Sequence, residues 1–268
     1  MEKDGAGEHR KGERDHRDAD AVKHAEELSH PHTQVFTICH ARGMIDIFRR
    51  DSEDMQSYAG AVVSLCNEHG LSHWMACGRI LEGWAAVNEG EIDHGIGLIR
   101  AGVAAWRKAR ARLWLPLFLA LEAEACAKGR RIEEALEVIE QAIAISEETG
   151  EHWYLAEILR IKAGLLSATD RTSDEAEILL ARSLETARGQ QARCWELRTA
   201  CDLASLWQSK GRAKEALQLL QPICAQFTKG SDTADLRHAK LILDSLKPNE
   251  NRKQAQSKKR AREPHRFG

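Results

Sequence analysis

Hydrophobic positions along this chain recur with the spacing of α-helices. Leu203, Leu206 and Trp207 follow the i, i+3, i+4 spacing of one helix face, and the pattern resumes at Leu217 and Leu220. No stretch alternates apolar and polar residues as a half-buried strand does. The pattern therefore predicts an all-α protein.

Polar breaks divide the periodic stretches into helix pairs. Glycines just past a periodic stretch, such as Gly90 and Gly150, are typical of helix C-termini. Ser231 and Asp232 predict the start of a last helix that covers the end of the preceding pair. The predicted pairs are 32–49 with 52–69, 71–88 with 91–109, 112–128 with 131–148, 151–168 with 173–188, and 191–209 with 212–227, before a capping helix at 232–246.

Three columns of residues recur with a period near 40. Such a period indicates an α-solenoid of about five antiparallel helix pairs. Close helix crossings need small residues, so we expect the first two columns at crossings. We expect the tryptophans of the third column to fill the gaps between successive pairs. The columns are Gly43, Gly83, Ala123, Ala163 and Ala204; Gly95, Ala135, Ala176 and Ala216; and Trp74, Trp114, Trp153 and Trp195.

Charge and composition divide the 268 residues into three parts. Residues 1–27 are almost all polar, which predicts a disordered segment with a helical end. Residues 28–246 form the predicted repeat domain. Residues 247–268 hold eight Lys or Arg and two Glu, which predicts a flexible basic tail. The formal charge of −2 is unevenly spread: the tail carries +6 and residues 1–27 carry −3, which leaves −5 on the repeat domain, so this domain is not a general polyanion binder.

Localisation is predicted from the cysteines and the first residues. The chain has seven cysteines, an odd number, and no secretory signal pattern in its polar opening segment. No apolar run approaches the length of about 18 residues typical of a membrane span. We therefore expect a cytoplasmic protein with reduced thiols and no membrane partner.

Residue motifs resemble the tetratricopeptide repeat. Lys-Gly-Arg followed by Glu-Ala-Leu opens the second helix at 128–136 and again at 210–217, although the period exceeds the 34 residues of standard repeats. The segments 111–129, 193–223 and 227–246 resemble more narrowly the C-terminal repeat region of bacterial class III adenylate/guanylate cyclase–ATPase signalling proteins. This resemblance spans residues 25–246. It implies a sensor or scaffold part of such a system.

Catalytic motifs are missing from the sequence. The chain has no phosphate-binding loop of the form G-x-x-x-x-G-K-[ST], and it has no room for a cyclase domain. The glycines at 95, 97 and 102 do not match G-x-G-x-x-G and are interpreted as helix packing. The histidines and cysteines form no metal-binding motif. We therefore expect no catalytic residues, no cofactor and no metal.

The first helices of the pairs should line the concave face of the solenoid. Counting from the small-residue column places seven side chains there, and Trp84 is the leading candidate for a binding hot spot unless it only packs between pairs. The predicted groove residues are Trp84, Asn88, Glu124, Lys128, Arg160, Ser205 and Gln208.

Three functions remain open at this point. The leading hypothesis is a non-catalytic module that binds a peptide or protein in its groove. The alternative is a fragment or subunit of a cyclase or signalling ATPase, which senses a ligand or docks on a nucleotide-binding partner. The third is weak nucleic-acid contact through the tail at 247–268.

Overall fold

The computed structural model describes residues 20, 23–25, 27, 30–50, 54–169, 173–227 and 233–247. Every regular element in these ranges is a helix. The predicted disordered segment, apart from helical residues at 20, 23–25 and 27, and the predicted basic tail beyond residue 247 lie outside the described residues.

The helices follow the predicted pairs closely. The first helix, α1, is continuous over 31–49 and has a π-helical middle between two α-helical parts. Pro31 occupies its first turn, and the side chain of His30 accepts a hydrogen bond from Thr33 N. The elements are α1 (Pro31–Thr37, Ile38–Met44 and Ile45–Arg49), α2 (Met55–His69), α3 (Ser72–Glu89), α4 (Ile92–Lys108), α5 (Leu115–Lys128), α6 (Ile132–Thr149), α7 (Leu155–Ser167), α8 (Ser173–Gly189), α9 (Arg193–Ser209), α10 (Ala213–Ala225) and α11 (Ala234–Leu246).

Small residues lie where the helices of a pair cross, as predicted. A Cβ atom on Gly83 of α3 would stand 2.6 Å from the carbonyl oxygen of Gly95 in α4. A Cβ atom on Gly102 would stand 2.7 Å from the carbonyl oxygen of Ala76. Only glycine allows the two backbones to approach this closely. Ala135 and Ala216 are fully buried at the corresponding positions of α6 and α10.

The apolar core consists of two clusters that meet at α7. One cluster runs from Val35 of α1 to Leu166 of α7. The other begins at Ala163 of α7 and ends at Leu246 of α11. The last helix packs on both α9 and α10, as predicted for a capping helix. Its N-cap is Thr233 rather than Ser231 or Asp232, and the Thr233 side chain accepts from Leu236 N.

The first helices form the inner layer of the array. Neighbouring first helices pack directly on one another, α3 on α5, α5 on α7 and α7 on α9. Among the described residues, successive second helices from α4 to α10 do not pack on one another to the same extent. The array therefore curves with the first helices on its inside. We call the surface that they share the first-helix face.

Candidate functional site

Helix α1 runs obliquely across the first-helix face. It packs on α2 and α3, where a Cβ atom on Gly43 would meet the side chain of Leu81. Its far end nevertheless reaches Arg198 of α9, 150 residues further along the chain. The sequence predicts α1 only as the first helix of a pair with α2. The oblique path adds contacts to the later first helices that a regular first helix does not make.

The N-terminal end of α1 rests on the first two members of the tryptophan column. The indole nitrogen of Trp74 donates a hydrogen bond of 3.0 Å to Nε2 of His32. The ring of Phe36 meets Trp74 edge-on at 5.7 Å between centroids, and His40 lies 4.2 Å from Trp114. These contacts are neutral and aromatic. They hold the N-terminal end of α1 against the first-helix face.

His40 is held as an uncharged side chain. Its Nδ1 lies 2.7 Å from the carbonyl oxygen of Phe36, to which it donates. Its Nε2 is buried without a hydrogen-bond partner in the described structure. Burial lowers the pKa of His40 from the ordinary value of 6.5, although the bond to Phe36 opposes this shift.

The C-terminal end of α1 rests on the last two members of the column. The ring of Phe48 lies between Trp153 at 5.9 Å, Tyr154 at 6.1 Å and Trp195 at 6.3 Å, measured between centroids. We call Trp153, Tyr154 and Trp195 the aromatic box. The backbone carbonyl of Phe48 accepts a hydrogen bond from the guanidinium of Arg198. This contact satisfies one of the carbonyl groups that a helix leaves free at its C-terminus.

A buried carboxylate lies beside the aromatic box. Glu157 of α7 is 1% exposed. Its carboxylate pairs with Arg160 at 2.8 Å, and with Arg198 and Arg50 at 3.3 Å each. Burial disfavours the charge, but the three guanidinium groups outweigh burial and lower the pKa of Glu157 to about 2. The carboxylate is therefore ionised at neutral pH.

Further carboxylates complete this charge network. Arg160 also reaches Asp202 of α9 at 2.8 Å and Glu124 of α5 at 3.7 Å. Arg198 reaches Asp235 of the capping helix at 2.8 Å. The network thus joins α1, α5, α7, α9 and α11 through side chains of the first-helix face.

The seven predicted groove residues occupy different environments. Trp84 lies in the core with 8% of its surface exposed, so it offers no ring to a partner. The ammonium group of Lys128 donates to Asn88 Oδ1 at 2.6 Å, and burial lowers the pKa of Lys128. Glu124 and Arg160 belong to the charge network. Gln208 bonds to Ser245 of the capping helix at 3.1 Å, and Ser205 is exposed nearby on α9.

The sequence interpretation missed most of the residues at the C-terminal end of α1. The signal present was that Glu157 lies between apolar residues of α7 and Arg198 between apolar residues of α9, at 155–158 and 197–200 respectively. Buried charges of this kind are paired as a rule. Glu151 was also missed: its carboxylate accepts from the backbone N–H of Trp114 at 2.8 Å and from the indole of Trp153 at 2.9 Å. It therefore links two members of the tryptophan column.

Metal sites and membrane-spanning helices are absent from the part of the chain that the structure describes. In the described ranges, no three His, Cys, Asp or Glu side chains are grouped in a way that would hold a metal ion. No helix of the described structure is both long and apolar enough to cross a membrane.

Sequence comparison with known proteins finds a distant relative of this chain. No family model matches the chain. An uncharacterized protein of Rhizobium meliloti (strain 1021) is 23% identical over 171 residues, which are 64% of this chain and 16% of that protein. The chain thus covers less than a fifth of the length of this relative.

Solved structures of repeat proteins superimpose on the array. BtubC (BKLC) from P. vanneervenii is 18% identical, with a TM-score of 0.61 over 81% of this chain and 95% of that chain. A Podosopora anserina putative kinesin light chain with nearly identical TPR-like repeats is 22% identical, with a TM-score of 0.53 over 67% of this chain and 89% of that chain. The chain is therefore an all-α solenoid of the tetratricopeptide-like kind.

Proposed function

We propose that this chain is a non-catalytic interaction module that binds a peptide or protein segment on its first-helix face. The observation that carries the proposal is the face itself: α3, α5, α7 and α9 lie side by side, and aromatic and charged side chains along them already bind one helical segment, α1. Solenoids of this kind use such inner surfaces for recognition. The solved repeat proteins supply the fold on which the proposal rests.

Partner capture by the purified chain tests this proposal. Lys128 is a surface cation of the face whose ammonium group is partly buried beside Asn88, whereas Lys214 is an exposed cation on second helix α10. We expect that Lys128→Glu loses partners that the wild-type chain retains from a cell extract, because a face cation that contacts the partner becomes an anion. Lys214→Glu makes the same charge change away from the face and should retain them, with capture quantified by mass spectrometry. Equal loss, or no loss, in both variants would reject the face as the binding surface.

A second candidate is a regulatory part of a bacterial signalling system. The supporting observation is that the Rhizobium meliloti relative is far longer than the matched region, so a segment of similar sequence lies inside a larger protein. In this case the array docks on a cyclase or ATPase domain, or senses a ligand for it. Co-expression with a nucleotide-binding protein encoded beside this chain, followed by co-purification, tests this candidate, and a chain that purifies alone would reject it.

A further inference from the structure

We infer that the C-terminal end of α1 is an internal ligand, and that the external partner presents a helix C-terminus with an aromatic residue two positions before an arginine. This inference rests on the proposed binding at the first-helix face and names the partner's chemistry. The site consists of the aromatic box, the guanidinium of Arg198 and the carboxylates of Glu124 and Glu157. In the described structure it is filled by Phe48 and Arg50.

Each part of this site recognises a different chemical group. The aromatic box binds an aromatic ring, since Phe48 contacts three aromatic side chains there. Arg198 takes a helix-end carbonyl, which carries the negative end of the helix dipole. The two carboxylates take a guanidinium, since Arg50 lies 3.3 Å from Glu157 and 3.7 Å from Glu124.

Charge balance explains why the ligand is basic. With Arg50 in place, the network and the neighbouring Lys128 hold as many cations as carboxylates. When Arg50 leaves the site, the carboxylates outnumber the cations by one. The open site therefore attracts a cationic segment. The carboxylates are Glu124, Glu157, Asp202 and Asp235, and the cations are Arg50, Arg160, Arg198 and Lys128.

Two features make α1 an imperfect ligand that an external segment displaces. Its middle, Ile38–Met44, is π-helical, a geometry that is rare and concentrated at functional sites. His40 in that stretch has a buried nitrogen without a partner, which costs free energy. The end beyond it is exposed in part, with 43% of the Arg50 side chain accessible. Release of the last turn alone would open the site, while the contacts of Val35 and Cys39 hold the rest of α1 in the core.

Competition with a peptide tests the inference. The probe is a fluorescein-labelled, C-terminally amidated peptide with the sequence of residues 41–50, and its binding to the full chain is followed by fluorescence anisotropy. We expect Arg50→Ala to bind the probe about tenfold more tightly than the wild type does, because the internal competitor is weakened. Arg49→Ala is the matched control, since Arg49 makes its ion pair within α1, to Asp46. Probes that carry Phe48→Ala or Arg50→Ala should lose this binding.

The possible outcomes separate this inference from the proposed function. Far-UV circular dichroism checks that Arg50→Ala is folded, and Phe48→Ala supplies a second chain with a weakened internal ligand. Equal probe affinity in the wild-type, Arg49→Ala and Arg50→Ala chains would overturn the inference, as would binding indifferent to the Phe and Arg of the probe. Dimerisation of the wild type that Arg50→Ala abolishes would assign the site to a second copy and also overturn it. Partner capture that still depends on Lys128 would then leave the proposed function standing.

Discussion

The two ends of α1 lie on the same face and are held by different chemistry. The N-terminal end places Phe36 and His40 against Trp74 and Trp114, with no charged group in these contacts. The C-terminal end also lies on two tryptophans, but a buried carboxylate and three guanidinium groups surround it. A single column of tryptophans thus supports a neutral contact at one end and an ionic contact at the other.

This difference shows that the two ends respond to different perturbations. The neutral end depends on apolar burial and on the imidazole of His40, whose pKa is lowered by burial. The ionic end depends on complete pairing, because a buried charge that loses its partner is costly. Substitutions and pH therefore separate the two contributions.

The largest effect is expected at the ionic end. Glu157→Gln removes the buried carboxylate that three guanidinium groups share, and it leaves those groups only the less buried carboxylates of Glu124, Asp202 and Asp235. We expect a loss of about 3–5 kcal/mol in the free energy of unfolding, measured by urea denaturation. Glu147→Gln is the control, because its pair with Arg182 is about half exposed and contributes about 1 kcal/mol or less. Similar small losses for both variants would mean that the buried network does not stabilise the array.

Two phenylalanines of α1 allow a direct comparison of the ends. Phe48 is partly buried in the aromatic box, whereas Phe36 is 45% exposed against Trp74. We expect Phe48→Ala to cost about 2 kcal/mol and Phe36→Ala about 1 kcal/mol, because the cost follows the apolar contact that is lost. Thermal melting of the two variants and the wild type shows which substitution costs more stability. A larger cost for Phe36→Ala would place the main anchor of α1 at its neutral end.

The helices and their pairing were predictable because they depend on local patterns. The glycine and alanine columns identified the crossings, and Gly83 and Gly95 meet there at backbone distance. The capping helix followed from its position after the last pair. The π-helical stretch Ile38–Met44 was not predicted, since its residues read as an ordinary helix.

The path of α1 and the charge network were beyond the sequence pattern. Arg198 and Phe48 are 150 residues apart, and no local spacing brings them together. Counting from the small-residue column identified Glu124 and Arg160 as side chains of the face, but it also selected Trp84, which is buried. A fixed count from one column does not distinguish a buried position of a first helix from one on its surface. The assignment of the seven residues to partner binding stays a prediction.

The smallest effect on stability is expected from a change of pH, which changes the protonation of a side chain at the neutral end of α1. The pKa of His40 is lowered by burial, so the folded chain binds fewer protons than the unfolded chain once the pH falls below the ordinary value of 6.5. Stability should therefore fall as the pH falls through this range. Glu157, with a pKa of about 2, keeps its charge there, so the ionic end does not contribute.

His40→Phe isolates this contribution, because it keeps an aromatic ring against Trp114 and removes the titrating nitrogen. Between about pH 7.5 and about pH 5.5, its free energy of unfolding should fall less than that of the wild type. His94→Phe on α4 is the control. His94 is exposed, so the free energy of unfolding of this variant should fall by as much as that of the wild type. Part of the wild-type slope should persist in His40→Phe, since burial also lowers the pKa of His73. If His40→Phe and the wild type lose the same free energy, the neutral end does not depend on an uncharged His40, and the contrast between the two ends of α1 would then rest on packing alone.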